Sequence, residues 1–469
     1  MKRFQLLLQP FKKTLQLLFI TSVALWLDAC KAKEDTVTPQ EPPVDTSPAN
    51  KFSSDVGSNW AALQQKLTKT TAGYTPPVAA RAYAYGGLVM YEAAVGGLPN
   101  NQSLAGQLSD LTTLPKPETG KDYNWALSVN AAEATILRAL YAEASRPTAA
   151  INKILIDSIE VAQLNTVKNG VTQEVINRSV KYGQAVANAI FEWSKTDGGH
   201  EGYKRNFPAT YVVPVFPGAW QTTENGAKIP MQPTWGTNRT FVPANQNMAI
   251  PSPIPFSASV TTSYFGQYFE VYNINKSLTQ EQKEISVWWA DNPGETFTPP
   301  GHSYAIAGIA VKQAKVGLGK AAEAYARTGI TVNDAFINCW KCKYKFNNER
   351  PYTMVRRTID ANWIPFWPAP PFPGFPSGHA TQSGAVAAVL TDLFGQNFAF
   401  TDDTHVGRVK DAKVGVEFKA RSFKSFDAFA IESADSRLYG GIHTRQDNET
   451  GLAEGRKIGK NVLALKFKK

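Results

Sequence analysis

The sequence predicts an all-α protein, and three observations support that expectation. Apolar residues recur at helical spacing through Trp60–Leu67, Val78–Val95, Trp125–Ala144, Ile151–Leu164 and Val175–Trp193, the pattern of helices with a buried face. Small residues crowd these stretches, as closely packed helices require. No glycine-rich dinucleotide loop or phosphate-binding strand–loop–helix interrupts the pattern.

Taken in order, residues 1–29 read as an export signal: basic residues, then the apolar run Leu15 to Leu27, then a cysteine. The run is too short for a lasting membrane span. Leu27-Asp28-Ala29-Cys30 resembles a bacterial lipoprotein cleavage box, Asp28 being an unusual member. The resemblance implies a lipid on Cys30 as the only membrane anchor, with the protein at the outer membrane or cell surface, or in the periplasm. Glu34-Asp35 resembles a surface-export tag. Residues 30–57, rich in Thr, Pro, Ser, Asp and Glu, are expected to be a flexible tether. Residues 58–469 are expected to form the helical domain.

Beyond the first five helical stretches, residues 197–260 turn to Pro, Gly, Asn and aromatics without a period. They predict a long ordered excursion with a few short strands, its aromatics lining an entrance or packing over the bundle. Helices resume at Thr279–Asp291, which opens on a Ser/Thr-x-x-Glu-like cap, and at Ser303–Lys320 after Pro299-Pro300-Gly301-His302. A further helix is expected over Ala321–Asn347, with Gly329 a candidate break, then Gly384–Phe394, Phe426–Arg437 and Glu449–Leu465. Residues 395–425 read as irregular and charged.

Charge and cysteines exclude several classes. Of the formal net charge of +10, the first 29 residues hold +3, from Lys2, Arg3, Lys12 and Lys13 against Asp28. The remainder is mild and forms no Lys/Arg run, so no nucleic-acid partner is expected. Three cysteines make no disulfide framework. Cys339 and Cys342 fall in a helical pattern with no thioredoxin-like strand before it, and read as structural thiols.

Three segments carry polar groups that an apolar helical core would not otherwise want. In the first, Lys343 and Arg350 stand seven residues apart, two helical turns, and are expected to share a face before Pro351 stops the helix. Alone, that spacing also describes a solvated basic face. In the second, a proline-rich loop ends in Pro376-Ser377-Gly378-His379 before an apolar helix. A helix start offers unpaired N–H groups and a positive dipole end to an anion, although Ser377 and Gly378 also suit a plain cap. In the third, Arg437 precedes His443, and Asp447 follows four residues later, placed to orient the imidazole if the chain is helical there.

Together, Lys-x6-Arg-Pro, Pro-Ser-Gly-His and Ser-Arg-x5-His-x3-Asp resemble the signature of the type 2 phosphatidic acid phosphatase superfamily, which includes vanadium-dependent haloperoxidases. The match covers residues 335–460 strongly and 278–305 loosely. It implies that Lys343, Arg350 and Arg437 hold the oxygens of an oxyanion, with Ser377 and the Gly378 N–H completing the cradle. His443 would bind the central atom, vanadium in a peroxidase or phosphorus as phosphohistidine in a phosphatase. His379 would be the acid/base opposite.

Vanadate and phosphate share shape and charge, so context separates the two chemistries. The chain lacks the spanning helices of the membrane phosphatases and is much longer than the soluble acid phosphatases of the superfamily. It resembles the vanadium haloperoxidases instead. Trp340, three residues before Lys343, and Phe372, five before Ser377, stand where Trp and Phe flank the halide side in such enzymes. Some bromoperoxidases have His at the second place. The resemblance implies two packed helical bundles, vanadate as cofactor, and hydrogen peroxide and halide as substrates giving hypohalous acid. The competing readings are a phosphatase and an inactive surface oxyanion-binding lipoprotein. His302 reads as cavity-facing or as a satisfied helix-start residue, and His200 and His405 have no assigned role.

Overall fold

The helical periodicity is realised almost throughout. The computed structural model describes residues 45–469 apart from 142–147, 224–225 and 412–414. The expected export signal and Cys30 lie outside the described residues. In chain order the helices are α1 (Asp55–Thr70), α2 (Pro76–Ala94), α3 (Trp125–Tyr141), α4 (Thr148–Val167), α5 (Gln173–Ser194), the single turn α6 (Pro243–Gln246), α7 (Ser263–Lys276), α8 (Gln280–Trp288), α9 (Thr298–Gln313), α10 (Leu318–Phe346), α11 (Pro351–Thr358), α12 (Gly378–Phe394), α13 (Phe426–Tyr439) and α14 (Arg445–Leu463). None of the described helices is long and apolar enough to cross a membrane.

Helices α1 to α5 form one bundle around α2, which is buried on every side from Pro77 to Ala94. A helix apolar all round belongs at the centre of a bundle. Helices α8, α12, α13 and α14 form the second, and α9 packs against both. Helix α10 joins them, packing on α2 in the first bundle and on α12 in the second. It runs unbroken through Gly329. A Cβ there would stand 2.5 Å from the Tyr83 carbonyl oxygen, so this glycine permits close helix contact rather than a break. In the second bundle, a Cβ on Gly384 of α12 would meet the Leu452 carbonyl oxygen of α14 at 2.7 Å.

Several boundaries differ from expectation, each for a local reason. Residues 46–57, expected within the tether, belong to the folded unit Thr46–Lys469. They form a 3-10 turn at Pro48–Lys51 and the start of α1, burying Ala49 and Val56. Helix α9 starts before His302, because Pro299 and Pro300 occupy its first turn, where a missing N–H costs nothing. It ends at Gln313, so the helix expected to reach Lys320 is divided, with Lys315 left-handed at φ +50°. Pro351 opens the unexpected α11 rather than merely stopping a helix.

The excursion over 197–260 contains no strand among its described residues. Its N–H groups bond one at a time to other segments: Trp220 to the Asn347 carbonyl at 2.5 Å, Met231 to that of Pro371 at 2.8 Å. Frequent prolines prevent a continuous ladder. Trp220 and Trp235 are buried, packed over the bundle. Residues 395–425 instead supply a short antiparallel ribbon, β1 (Phe400–Asp402) with β2 (Arg421–Phe423).

Candidate active site

Lys343 lies in the last turn of α10, and the helix ends three residues later where Asn347 turns left-handed, at φ +47°. Arg350 therefore does not share a helical face with Lys343. It caps the start of α11 and returns from a separate loop. The two cations still approach the same ring, that of Phe372, with Lys343 Nζ 5.2 Å and the Arg350 guanidinium 5.1 Å from its centroid.

The proline-rich loop holds both. Lys343 Nζ donates to the carbonyls of Pro373 (2.9 Å), Gly374 (2.8 Å) and Pro376 (2.5 Å). Arg350 Nε donates to the Phe372 carbonyl at 3.1 Å and Nη1 to that of Ile442 at 2.7 Å. Neutral carbonyls solvate a cation without cancelling its charge. Burial accordingly pulls Lys343 down to about 7 and Arg350 down to about 10. Arg350 Nη2 is buried with no hydrogen-bond partner among the described residues.

Ser377 caps α12, its Oγ accepting from the Ala380 N–H at 3.4 Å, while its own N–H donates to the Asp447 carbonyl at 2.9 Å. The helix thus begins at Gly378, six residues earlier than its apolar run suggested. The N–H groups of Gly378 and His379 have no carbonyl of their own helix to reach. A Cβ on Gly378 would meet nothing nearer than the Trp340 ring at 3.7 Å. Packing within the protein does not demand glycine there, whereas backbone approach to an anion does. Trp340 is buried and lies 5.0 Å from Phe372, ring to ring.

Arg437 and His379 meet at one atom, the carbonyl oxygen of Trp289. Arg437 Nη1 donates to it at 3.0 Å and His379 Nε2 at 2.9 Å. With Nε2 as donor, Nδ1 of a neutral His379 keeps its lone pair. Burial, then the charge of Arg437, holds His379 well below the ordinary imidazole range. Burial also lowers Arg437, to about 10.

His443 precedes α14 rather than lying on it. Thr444 and Asp447 form the capping box of that helix, and the cap brings Asp447 Oδ2 to 2.9 Å from His443 Nδ1. The expected pairing is thus present, on a cap instead of a helical face. Nδ1 donates to the carboxylate, so Nε2 offers its lone pair, which accepts from Arg350 Nη1 at 3.0 Å. Burial, followed by the charges of Arg350, Lys343 and Arg437, holds this imidazole well below its ordinary range. The structure therefore gathers Lys343, Arg350, Arg437, Ser377, Gly378, His379 and His443 from the ends of five helices.

A solved bacterial vanadium-dependent iodoperoxidase is 32% identical to this chain, with a TM-score of 0.74, and the match covers 90% of this chain and 97% of that one. The chain belongs to the vanadium-dependent haloperoxidase family. A family model described as the VCPO second helical-bundle domain matches residues 323–468 of this haloperoxidase-family chain. Vanadium chloroperoxidase from Curvularia inaequalis is 24% identical over 480 residues, spanning 81% of this chain and 76% of that protein. A holo-type bacterial vanadium-dependent chloroperoxidase shares the fold, at 16% identity and a TM-score of 0.64, covering 83% of this chain and 92% of that one.

Sequence reasoning missed a second polar cluster in this haloperoxidase-family chain. Asp291, just past α8, bonds through Oδ2 to His302 Nδ1 at 2.7 Å and through Oδ1 to His405 Nε2 at 2.9 Å. His302 Nε2 bonds Asp402 Oδ2 at 2.7 Å. Burial opposes a charged His302, but Asp291 and Asp402 outweigh it and raise the imidazole to about 10. The Trp289 ring stacks on His302 at 4.5 Å while its carbonyl receives His379 and Arg437. His302 is thus a satisfied residue and does not face the pocket. The capping residue Thr279 and His302 were legible as helix starts, but nothing local marks their link to residues 402 and 405.

Proposed function

We propose that this protein is a vanadate-dependent haloperoxidase that oxidises halide with hydrogen peroxide to hypohalous acid. The observation behind the reading is the set of buried cations Lys343, Arg350 and Arg437, bonded to carbonyls rather than to carboxylates, around a His443 whose Nε2 is the lone-pair nitrogen. Such a set fits a compact oxyanion: Arg350 Nη2 has no acceptor among the described residues, and His443 has the tautomer that a ligand requires. Vanadate, when bound, supplies a Lewis-acid centre that activates peroxide without itself changing oxidation state.

The chain's own groups do the remaining work. Lys343, Arg350 and Arg437 neutralise the oxyanion in a buried pocket, where charge-assisted hydrogen bonds are strong. Ser377 and the Gly378 N–H fix its orientation. Asp447 holds the proton on His443 Nδ1 and so keeps Nε2 unprotonated. His379, neutral and anchored through Nε2, takes a proton at Nδ1 from incoming peroxide and returns one to the product. Trp340 and Phe372 form a dry wall that limits solvation of the halide. The relative named an iodoperoxidase makes iodide the first halide to assay.

The deciding experiment incubates the protein with vanadate, peroxide and each halide in turn, alongside an aryl phosphate. Vanadate-dependent halide oxidation is expected. Hydrolysis of the aryl phosphate, inhibited by vanadate and without halide oxidation, would establish a phosphatase. Binding of vanadate or phosphate with neither turnover would mark an inactive oxyanion-binding protein.

Lys343 also sets a pH dependence. Without an anion beside it, its proton leaves at about 7 in the folded chain, against an ordinary 10.5. Below 7 the ammonium is charged in both folded and unfolded states, so its burial is costly. As pH rises from 7 toward 10.5 the folded state sheds that cost, and the anion-free protein gains stability. An oxyanion needs the charged form. Its affinity is therefore expected to fall above pH 7, by up to about tenfold per pH unit. Calorimetric titration with phosphate between pH 6 and 9 measures the slope. An unchanged slope in Lys343→Met would remove this residue from the explanation.

A further inference from the structure

We propose that Asp291, His302 and His405 form a metal site, separate from the oxyanion pocket, for a divalent transition-metal cation of the zinc type. One carboxylate oxygen and two imidazole nitrogens converge there, all within 4.8 Å of one another. Two imidazoles with a carboxylate are a donor set for such ions. The rings of His302 and His405 stand 4.7 Å apart at 67°, each aiming a nitrogen at the same carboxylate, with His302 using Nδ1 and His405 using Nε2.

The surroundings support a bound ion. Asp402 stands behind His302, at 2.7 Å from Nε2, and is itself fixed by the Trp288 indole at 2.9 Å and the Thr404 N–H at 3.1 Å. A carboxylate on the far nitrogen of an imidazole is the usual support of a metal ligand. Trp288 and Phe297 enclose His405, with ring centroids 5.1 Å and 5.6 Å away. All four polar residues are at most 1% exposed.

The ion would fasten three separate stretches: the segment just past α8, the N-terminal part of α9, and the loop between β1 and β2 that carries His405.

The test uses the full chain, stripped with chelator and dialysed, then titrated with zinc or cobalt(II). One equivalent of zinc per chain by elemental analysis is expected, counted apart from vanadium. A cobalt(II) visible band that saturates at one equivalent, and a higher Tm with zinc, are also expected. His405→Ala should lose the equivalent, while His443→Ala, altered only in the oxyanion pocket, should keep it. A stripped wild-type protein that takes up neither ion at one equivalent overturns the proposal and leaves a hydrogen-bonded ion-pair network. So does undiminished uptake by folded His405→Ala. If that variant does not fold, anomalous scattering from zinc-treated wild-type crystals decides, by the presence or absence of zinc between Asp291, His302 and His405.

Discussion

His443→Ala is expected to lower vanadate-dependent halide oxidation by ~10³-fold or more, because it removes the imidazole lone pair that Asp447 and Arg350 hold in place among the pocket cations. Nε2 is fixed in that role from both sides: Nδ1–H is committed to Asp447, and Arg350 already points a donor at Nε2. Added vanadate should be lost on gel filtration of the variant and retained by the wild type. Circular dichroism checks that the fold persists, since alanine leaves the buried Asp447 without its imidazole. Full vanadate-dependent turnover by a folded His443→Ala protein would be incompatible with the proposed chemistry.

Arg350→Met separates oxyanion binding from folding. The guanidinium is fully buried and touches two carbonyls and an imidazole, with one nitrogen to spare. Methionine removes a cation that burial disfavours, but it also strands the carbonyls of Phe372 and Ile442. These effects oppose each other, so the anion-free protein should change in stability by no more than ~2 kcal/mol. Oxyanion affinity should fall about 10²–10³-fold, the loss of a buried charge-assisted contact worth ~3–4 kcal/mol. Phosphate and vanadate titrations, with thermal melts on the same samples, give both numbers. Unchanged affinity would mean that Arg350 supports only the loop.

The helical fold was legible because its signal is periodic and local. The pocket residues were legible because each sits in a short segment with fixed spacing. What failed were inferences about how those segments continue. A proline after Arg350 reads equally as a helix stop or as the first residue of a new helix, and only the left-handed Asn347 decides between them. Asp447 read as a helical neighbour of His443, whereas with Thr444 it caps a helix that starts after it. Trp289 escaped notice because it acts through its carbonyl, and a backbone atom leaves no mark in the sequence. Asp291, His302, Asp402 and His405 escaped because more than a hundred residues separate the first from the last, with no motif to join them.

Helix α10 has a mechanical consequence. At about 1.5 Å per residue its 29 residues make a rod of roughly 43 Å. Near its middle it is seated against α2, where Gly329 meets the Tyr83 backbone, and Lys343 stands near its C-terminal end, about 21 Å along the axis from that glycine. A rod of this kind transmits displacement with little loss. A slip of α2 against α10 would carry the ammonium by a similar amount relative to the loop carbonyls around it. The packing of the motif-free N-terminal half against α10 therefore bears directly on where Lys343 stands.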